Sequence, residues 1–131
     1  MNNNNTPGIL VIGCGSIGRR HIRNLRTLGV SRIYVYDTDR TRSEAAAGEY
    51  GVTMLERAEQ ARDISAAFIC NPGRFHLEAA QLGLRLNAHL FIEKPLADVQ
   101  EGVQDLLDAA GSNQRVVMVG FNLRYHPCLQ K

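Results

Sequence analysis

The sequence predicts an α/β fold, a doubly wound and mostly parallel sheet with helices on both faces. Three observations predict it. Short apolar runs recur along the chain, and segments of helical periodicity separate them. A glycine cluster closes the first apolar run. Strands alternating with helices of roughly 10–15 residues require right-handed crossovers, which make the strands parallel. The expected strand order is 3-2-1-4-5-6.

The elements follow in order. Residues 8–13, GILVIG, are apolar throughout, as a central strand covered on both faces must be. Gly18, Ile22, Leu25 and Leu28 then fall at helical spacing, and Gly29 stops that helix. Ile33 to Tyr36 is a second strand ending at Asp37, and an alanine-bearing helix follows from about Asp39 to Tyr50, stopped by Gly51. Val52 and Thr53 form a brief third strand, followed by one or two helical turns over residues 55–62. Ala66 to Cys70 is the fourth strand, closed by the turn signal Asn71-Pro72-Gly73. Phe75, Ala79, Leu82 and Leu86 mark one face of the next helix, and His89 to Ile92 is the fifth strand. Asp98 with Glu101 reads as a capping box for a helix that buries Val99, Val103, Leu106 and Ala110. Arg115 to Val119 is the sixth strand. Residues 1–7 read as a disordered tail, 8–121 as one domain, and 122–131 as the start of a connection beyond it.

Composition narrows the function. The 131 residues suffice for one domain with its own core. Fifteen basic against 13 acidic residues leave a net charge of +2, too balanced to argue for nucleic acid or membrane. The opening asparagine run lacks the pattern of a signal peptide, and no apolar run approaches the ~20 residues of a membrane helix. Three scattered cysteines give neither a disulfide framework nor a metal site, and a reducing, cytoplasmic setting is expected.

The chemistry begins at Gly13-Cys14-Gly15-Ser16-Ile17-Gly18, a G-x-G-x-x-G placed after a strand and opening a helix. Gly13 permits the tight turn, Gly15 lets the backbone approach a pyrophosphate, and Gly18 lets helix and strand pack closely. The helix N-terminus adds free N–H groups and partial positive charge. Asp37 lies roughly 20 residues on, where an acid meets the adenosine ribose hydroxyls of a dinucleotide. Together these specify a Rossmann-type, dinucleotide-binding domain. Asp37 favours NAD, since a carboxylate repels the 2′-phosphate of NADP; Arg40 and Arg42 keep NADP open as the alternative. His21 with Arg19, Arg20, Arg23 and Arg26 reads as a solvated face and packing, with Arg19 or Arg20 also able to reach a phosphate. Cys14 reads as a small tolerated side chain.

Three later motifs occur in order behind the glycine loop: Asn71-Pro72-Gly73-Arg74-Phe75-His76, Glu93-Lys94-Pro95, and Gly120-Phe121-Asn122-Leu123-Arg124-Tyr125-His126-Pro127. With them the chain resembles the glucose–fructose oxidoreductase / inositol dehydrogenase (Gfo/Idh/MocA) family from Gly8 onward. The resemblance implies a two-domain NAD(P)-dependent oxidoreductase acting on a hydroxyl or carbonyl carbon of a sugar, cyclitol or related metabolite. It places Lys94 beside the nicotinamide as the catalytic group, with Glu93 and Pro95 shaping its loop. Without it, Lys94 reads equally as an exposed turn lysine. The loop of Asn71 and Pro72 is expected along the nicotinamide, although the family usually has threonine or serine in place of Asn71. His76 either contacts the cofactor region or caps and packs, and Asn122 and Arg124 are candidates for a substrate or cofactor contact. A metal is not implied.

In that family a second domain, absent here, supplies the substrate pocket, part of the proton relay and often the interface of a homo-oligomer. The chain therefore reads as a fragment expected to be inactive alone. A nucleotide-linked or deoxy sugar is the substrate type suggested by the wording of residues 121–128. The alternative is a stand-alone module that senses NAD(H) without catalysis, against which the Glu-Lys-Pro loop argues.

Overall fold

In the computed structural model, which describes residues 6–129, six strands form one sheet in the order β3-β2-β1-β4-β5-β6. These are β1 (Gly8–Ile12), β2 (Ile33–Tyr36), β3 (Thr53–Met54), β4 (Ile64–Ile69), β5 (His89–Ile92) and β6 (Val117–Val119). Every neighbouring pair is parallel, as the crossover rule predicts. Four α-helices cover the faces: α1 (Ser16–Thr27), α2 (Arg40–Tyr50), α3 (His76–Arg85) and α4 (Val103–Ser112). Most of the tail expected to be disordered, residues 1–5, lies outside the described residues, as do 130 and 131 at the end of the expected connection.

The continuous apolar run of β1 is explained by burial on both sides. Leu10 and Ile12 join Ala67, Ile69, Leu90 and Ile92 in a core closed by Ala79, Ala80 and Leu84 of α3 and Leu106 and Ala110 of α4. Val11, between them, points the other way, into a core with Ile33, Val35, Ile22 and Leu25 of α1, and Ala46 of α2. Each Leu or Ile buried this way contributes about 1.5–3 kcal/mol. Helices α1 and α2 therefore lie on one face of the sheet, and α3 and α4 on the other.

Element ends follow local chemistry. Asp39 caps α2 by accepting from the Thr41 amide, and Gly51 closes it at φ 62°, in the left-handed region. Four expectations are corrected. Strand β4 starts two residues earlier, at Ile64. Phe75 belongs to a 3₁₀ turn ahead of α3 and is exposed, so it is not part of that helix's buried face. The third and sixth strands are shifted to Thr53–Met54 and shortened to Val117–Val119. The Asp98–Glu101 capping box does not form: α4 starts at Val103, and Gly102 before it sits at φ 81° with no side-chain cap. A left-handed residue there ends any helical continuity with 98–101, and Val99 is left 62% exposed. Asp98 instead turns toward Gly73, where a Cβ would come within 2.6 Å of its Oδ1.

Candidate active site

The loops that follow β1, β4, β5 and β6 all gather at the carboxyl edge of the sheet, where open α/β folds bind ligands. The order of strands reverses between β1 and β4, and the glycine loop stands at that crevice. Gly13 has φ 97°, and a Cβ on it would fall 2.5 Å from the Asn71 nitrogen and 2.6 Å from the Cys70 carbonyl carbon. No other residue fits. A Cβ on Gly18 would collide with the Gly13 carbonyl oxygen, so α1 packs directly against the end of β1. Above Gly15 there is nothing within 4 Å. The first two glycine roles are thus distinct: closeness to the fold at Gly13, open approach at Gly15.

Helix α1 begins at Gly15 without a side-chain cap and without an acidic residue in its first turn. Its free N–H groups and positive dipole end are therefore available to an anion. Cys14, Gly15 and Ser16 border a cleft of about 880 Å³ together with Arg19, Arg20, Arg23 and Arg42. Ile17, the loop's remaining residue, packs against the core beneath α1.

Asp37 at the end of β2 faces this loop. Its Oδ2 accepts from the Cys14 amide at 2.7 Å, and its Oδ1 accepts from the Asp39 amide at 2.8 Å. Each oxygen keeps a lone pair for a further donor. The Cys14 thiol is buried, and burial first, then the Asp37 charge, pushes its pKa up to about 12. Burial likewise raises Cys70. Both are neutral thiols, in keeping with the reading of Cys14 as a tolerated small side chain.

Three of the arginines near this cleft pair with acids of this chain, whereas Arg20 and Arg23, which also line it, form no ion pair among the described residues. Arg40 pairs with Glu44 at 2.7 Å and Glu56 at 3.0 Å, Arg42 with Asp39 at 3.5 Å, and Arg19 with Glu49. Arg26 is not merely a solvated residue. Its guanidinium donates to the carbonyls of Val30, Ser31, Tyr50 and Gly51, stapling the ends of α1 and α2 together.

Asn71 and Pro72 open the turn after β4. The Asn71 Oδ1 is buried without a hydrogen-bond partner among the described residues. His76, the first residue of α3, is 2% exposed. Its Nδ1 lies 2.6 Å from the Pro95 carbonyl oxygen and its Nε2 lies 2.7 Å from that of Asn71. Of the two readings the sequence allows, packing describes it, since both ring nitrogens are taken by the loops after β4 and β5.

Lys94 stands at the carboxyl end of β5, exposed and without an ion pair or hydrogen bond from its side chain among the described residues. The Lys94–Pro95 bond is cis. Before it, Glu93 accepts from His21 Nε2 at 2.5 Å. Sequence reasoning missed His21. Its helical phase, one position before buried Ile22, was visible, but a partner 72 residues away was not. Asn122 and Arg124 occupy a 3₁₀ turn after β6, and the Arg124 guanidinium lies over Phe121 and Tyr125. They border a hollow of about 170 Å³ shared with Arg20, His21 and Glu93. Thus the structure brings Glu93 and the 121–125 segment together, beside α1.

These features fit a dinucleotide: an uncapped helix beneath an open approach at Gly15 for the pyrophosphate, and an acid held over the loop for the ribose. Comparison with known proteins agrees. An inositol 2-dehydrogenase of Ralstonia nicotianae is 35% identical over 128 residues, covering 92% of this chain and 38% of its own length. The crystal structure of a putative myo-inositol dehydrogenase from Sinorhizobium meliloti 1021 is 30% identical with a TM-score of 0.83, over 93% of this chain and 38% of that one. A levoglucosan dehydrogenase in complex with NADH and levoglucosan shares the fold, with a TM-score of 0.81 at 23% identity, over 94% and 37%. The chain spans 36–40% of the length of the first curated relatives it matches. The model of the oxidoreductase family with an NAD-binding Rossmann fold matches residues 8–121, and the chain belongs to that family, Gfo/Idh/MocA.

Proposed function

We propose that this chain is the cofactor-binding part of an NAD-dependent dehydrogenase acting on a hydroxyl or carbonyl carbon of a sugar, cyclitol or related metabolite. Residues 8–121 form the cofactor domain in this reading, and 122–131 lead toward a substrate-binding part. The observation that carries it is the exposed, unpaired Lys94 at the carboxyl end of β5, on the edge that also holds the glycine loop. NAD, when bound, supplies or accepts the hydride.

The chain's own groups do the rest. The N–H groups of α1 and the backbone at Gly15 hold the pyrophosphate, and Asp37 accepts from the ribose hydroxyls. The Lys94 ammonium orients the reacting oxygen and stabilises negative charge that develops on it. The turn of Asn71 and Pro72 lies along the nicotinamide end, and Asn122 and Arg124 face the substrate side. The relatives' names, inositol 2-dehydrogenase above all, support the cyclitol and sugar class.

The test uses the enzyme that carries this domain, assayed for NAD reduction across myo-inositol, other cyclitols and sugars. Lys94→Ala should lower kcat by about 10²–10⁴-fold while the Kd for NAD changes little. Turnover close to wild type in that variant would overturn the role of Lys94. Tight NAD binding with no turnover across the panel would favour a sensing module instead.

A further inference from the structure

We propose that His21 is a positioning residue for Lys94, acting through Glu93. Its kinetic consequence rests on the role proposed for Lys94; its structural consequence does not. His21 stands on α1 and Glu93 follows β5, so their contact crosses from a helix to the loop of another strand. Nε2 and Oε1 are 2.5 Å apart, and both side chains are largely buried, at 18% and 21% exposed.

The imidazole has little freedom. It meets the Phe91 ring edge-on at 5.1 Å and the Phe68 ring at 5.4 Å, and these two phenyl rings stack on each other at 4.9 Å. The carboxylate is confined from the other side as well. A Cβ on Gly120 would sit 3.3 Å from Glu93 Oε2, so the glycine leaves only the room the oxygen needs. The Glu93 amide also donates to the Ile69 carbonyl at 3.0 Å. Both side chain and backbone of the residue before Lys94 are therefore fixed.

The opposite flank is fixed too, because His76 of α3 holds the Pro95 carbonyl. Since α1 and α3 cover opposite faces of the sheet, the Lys94 loop is gripped from both. Of the hydrogen bonds among the described residues, the His21 contact is the one that connects it to α1, whose first turn offers the phosphate site. One rigid helix of 12 residues thus sets lysine and cofactor in a common frame. A hydrogen bond to a carboxylate in a partly desolvated place is among the stronger ones available for this purpose. Misplacement of a reacting group by about 1 Å can cost about 10²-fold in rate.

Hydrogen exchange on this chain provides the direct test, with His21→Ala, Glu93→Ala, their double variant and His21→Gln. In His21→Ala the Glu93 amide, which donates to the Ile69 carbonyl, should exchange on the order of 10-fold faster while the amides of β1 stay protected. Glu93→Ala should do the same at position 93, the double variant should add nothing further, and His21→Gln, whose side-chain amide can donate from a similar position, should restore protection. Unchanged exchange at position 93, or a uniform rise across the whole domain, would overturn the proposal. In the enzyme, His21→Ala should lower kcat by about 10-fold or more with KM for NAD little changed. Normal kcat in His21→Ala beside a crippled Lys94→Ala would reject the role of His21 alone. Normal kcat in Lys94→Ala would reject the catalytic reading, and the exchange data would still judge His21.

Discussion

Two glycines three residues apart in the loop, Gly15 and Gly18, have opposite reasons to be glycine, and substitution separates them. Gly18 has no room for a methyl group against the Gly13 carbonyl, whereas Gly15 faces open space. Gly18→Ala should destabilise the fold by about 1–3 kcal/mol or more, read as a fall in Tm. Gly15→Ala should keep the wild-type Tm yet weaken NAD binding, measured by calorimetry, because its methyl projects where a pyrophosphate would lie. A Gly15→Ala variant that binds NAD normally would show that the phosphate is not seated over that residue. These roles were legible in the sequence because the motif is local and each glycine's place in it is set by spacing. Asp37 was legible for the same reason, at a strand end a fixed distance on. His21 and Glu93 were not. Nothing near either residue announces the other, and their meeting depends on how α1 lies across β4 and β5.

At the level of elements, the choice of cofactor is a matter of how α1 and α2 balance their charges. Arg19 on α1 pairs with Glu49 on α2, while Arg40 and Arg42 pair with Glu44, Glu56 and Asp39. Arg19, Arg40 or Arg42 turning to a 2′-phosphate would first have to leave its carboxylate, and any arginine of the cleft would meet that phosphate next to Asp37. NAD(H) should therefore bind more tightly than NADP(H) in parallel titrations, and Asp37→Ala should narrow the difference. A wild-type preference for NADP(H) would mean that one of these pairs opens readily. Element boundaries were less legible than element order. The Asp98–Glu101 pattern satisfied a capping rule, but Gly102 at a left-handed φ starts α4 later. Asp98 lies instead against the Gly73 turn and Gly102 beside Leu77 of α3, contacts that leave no trace in spacing.

At the scale of the whole molecule, the carboxyl edge is open. Lys94, Phe121, Leu123 and Tyr125 are all exposed there, with no wall facing them among the described residues. Positioning and preorganised electrostatics supply much of an enzyme's rate, and both need a substrate held on two sides. The 131-residue chain alone should bind NAD but show no substrate-dependent NAD reduction across a panel of sugars and cyclitols. Measurable turnover by the isolated chain would show that its own residues complete the site.

The double histidine grip has a consequence for exchange of parts between enzymes. The two histidine contacts that flank Lys94, His21 with Glu93 on one face and His76 with Pro95 on the other, lie between residues 21 and 95, and Gly120, which bounds the Glu93 carboxylate, belongs to the same sheet unit. All of these residues fall within 8–121. Grafted onto the substrate-binding half of a distant relative, this domain would carry Lys94 already registered to its glycine loop. Under the proposed role of Lys94, the chimera's specificity would then change with the half it received, while the placement of the lysine travelled with this one.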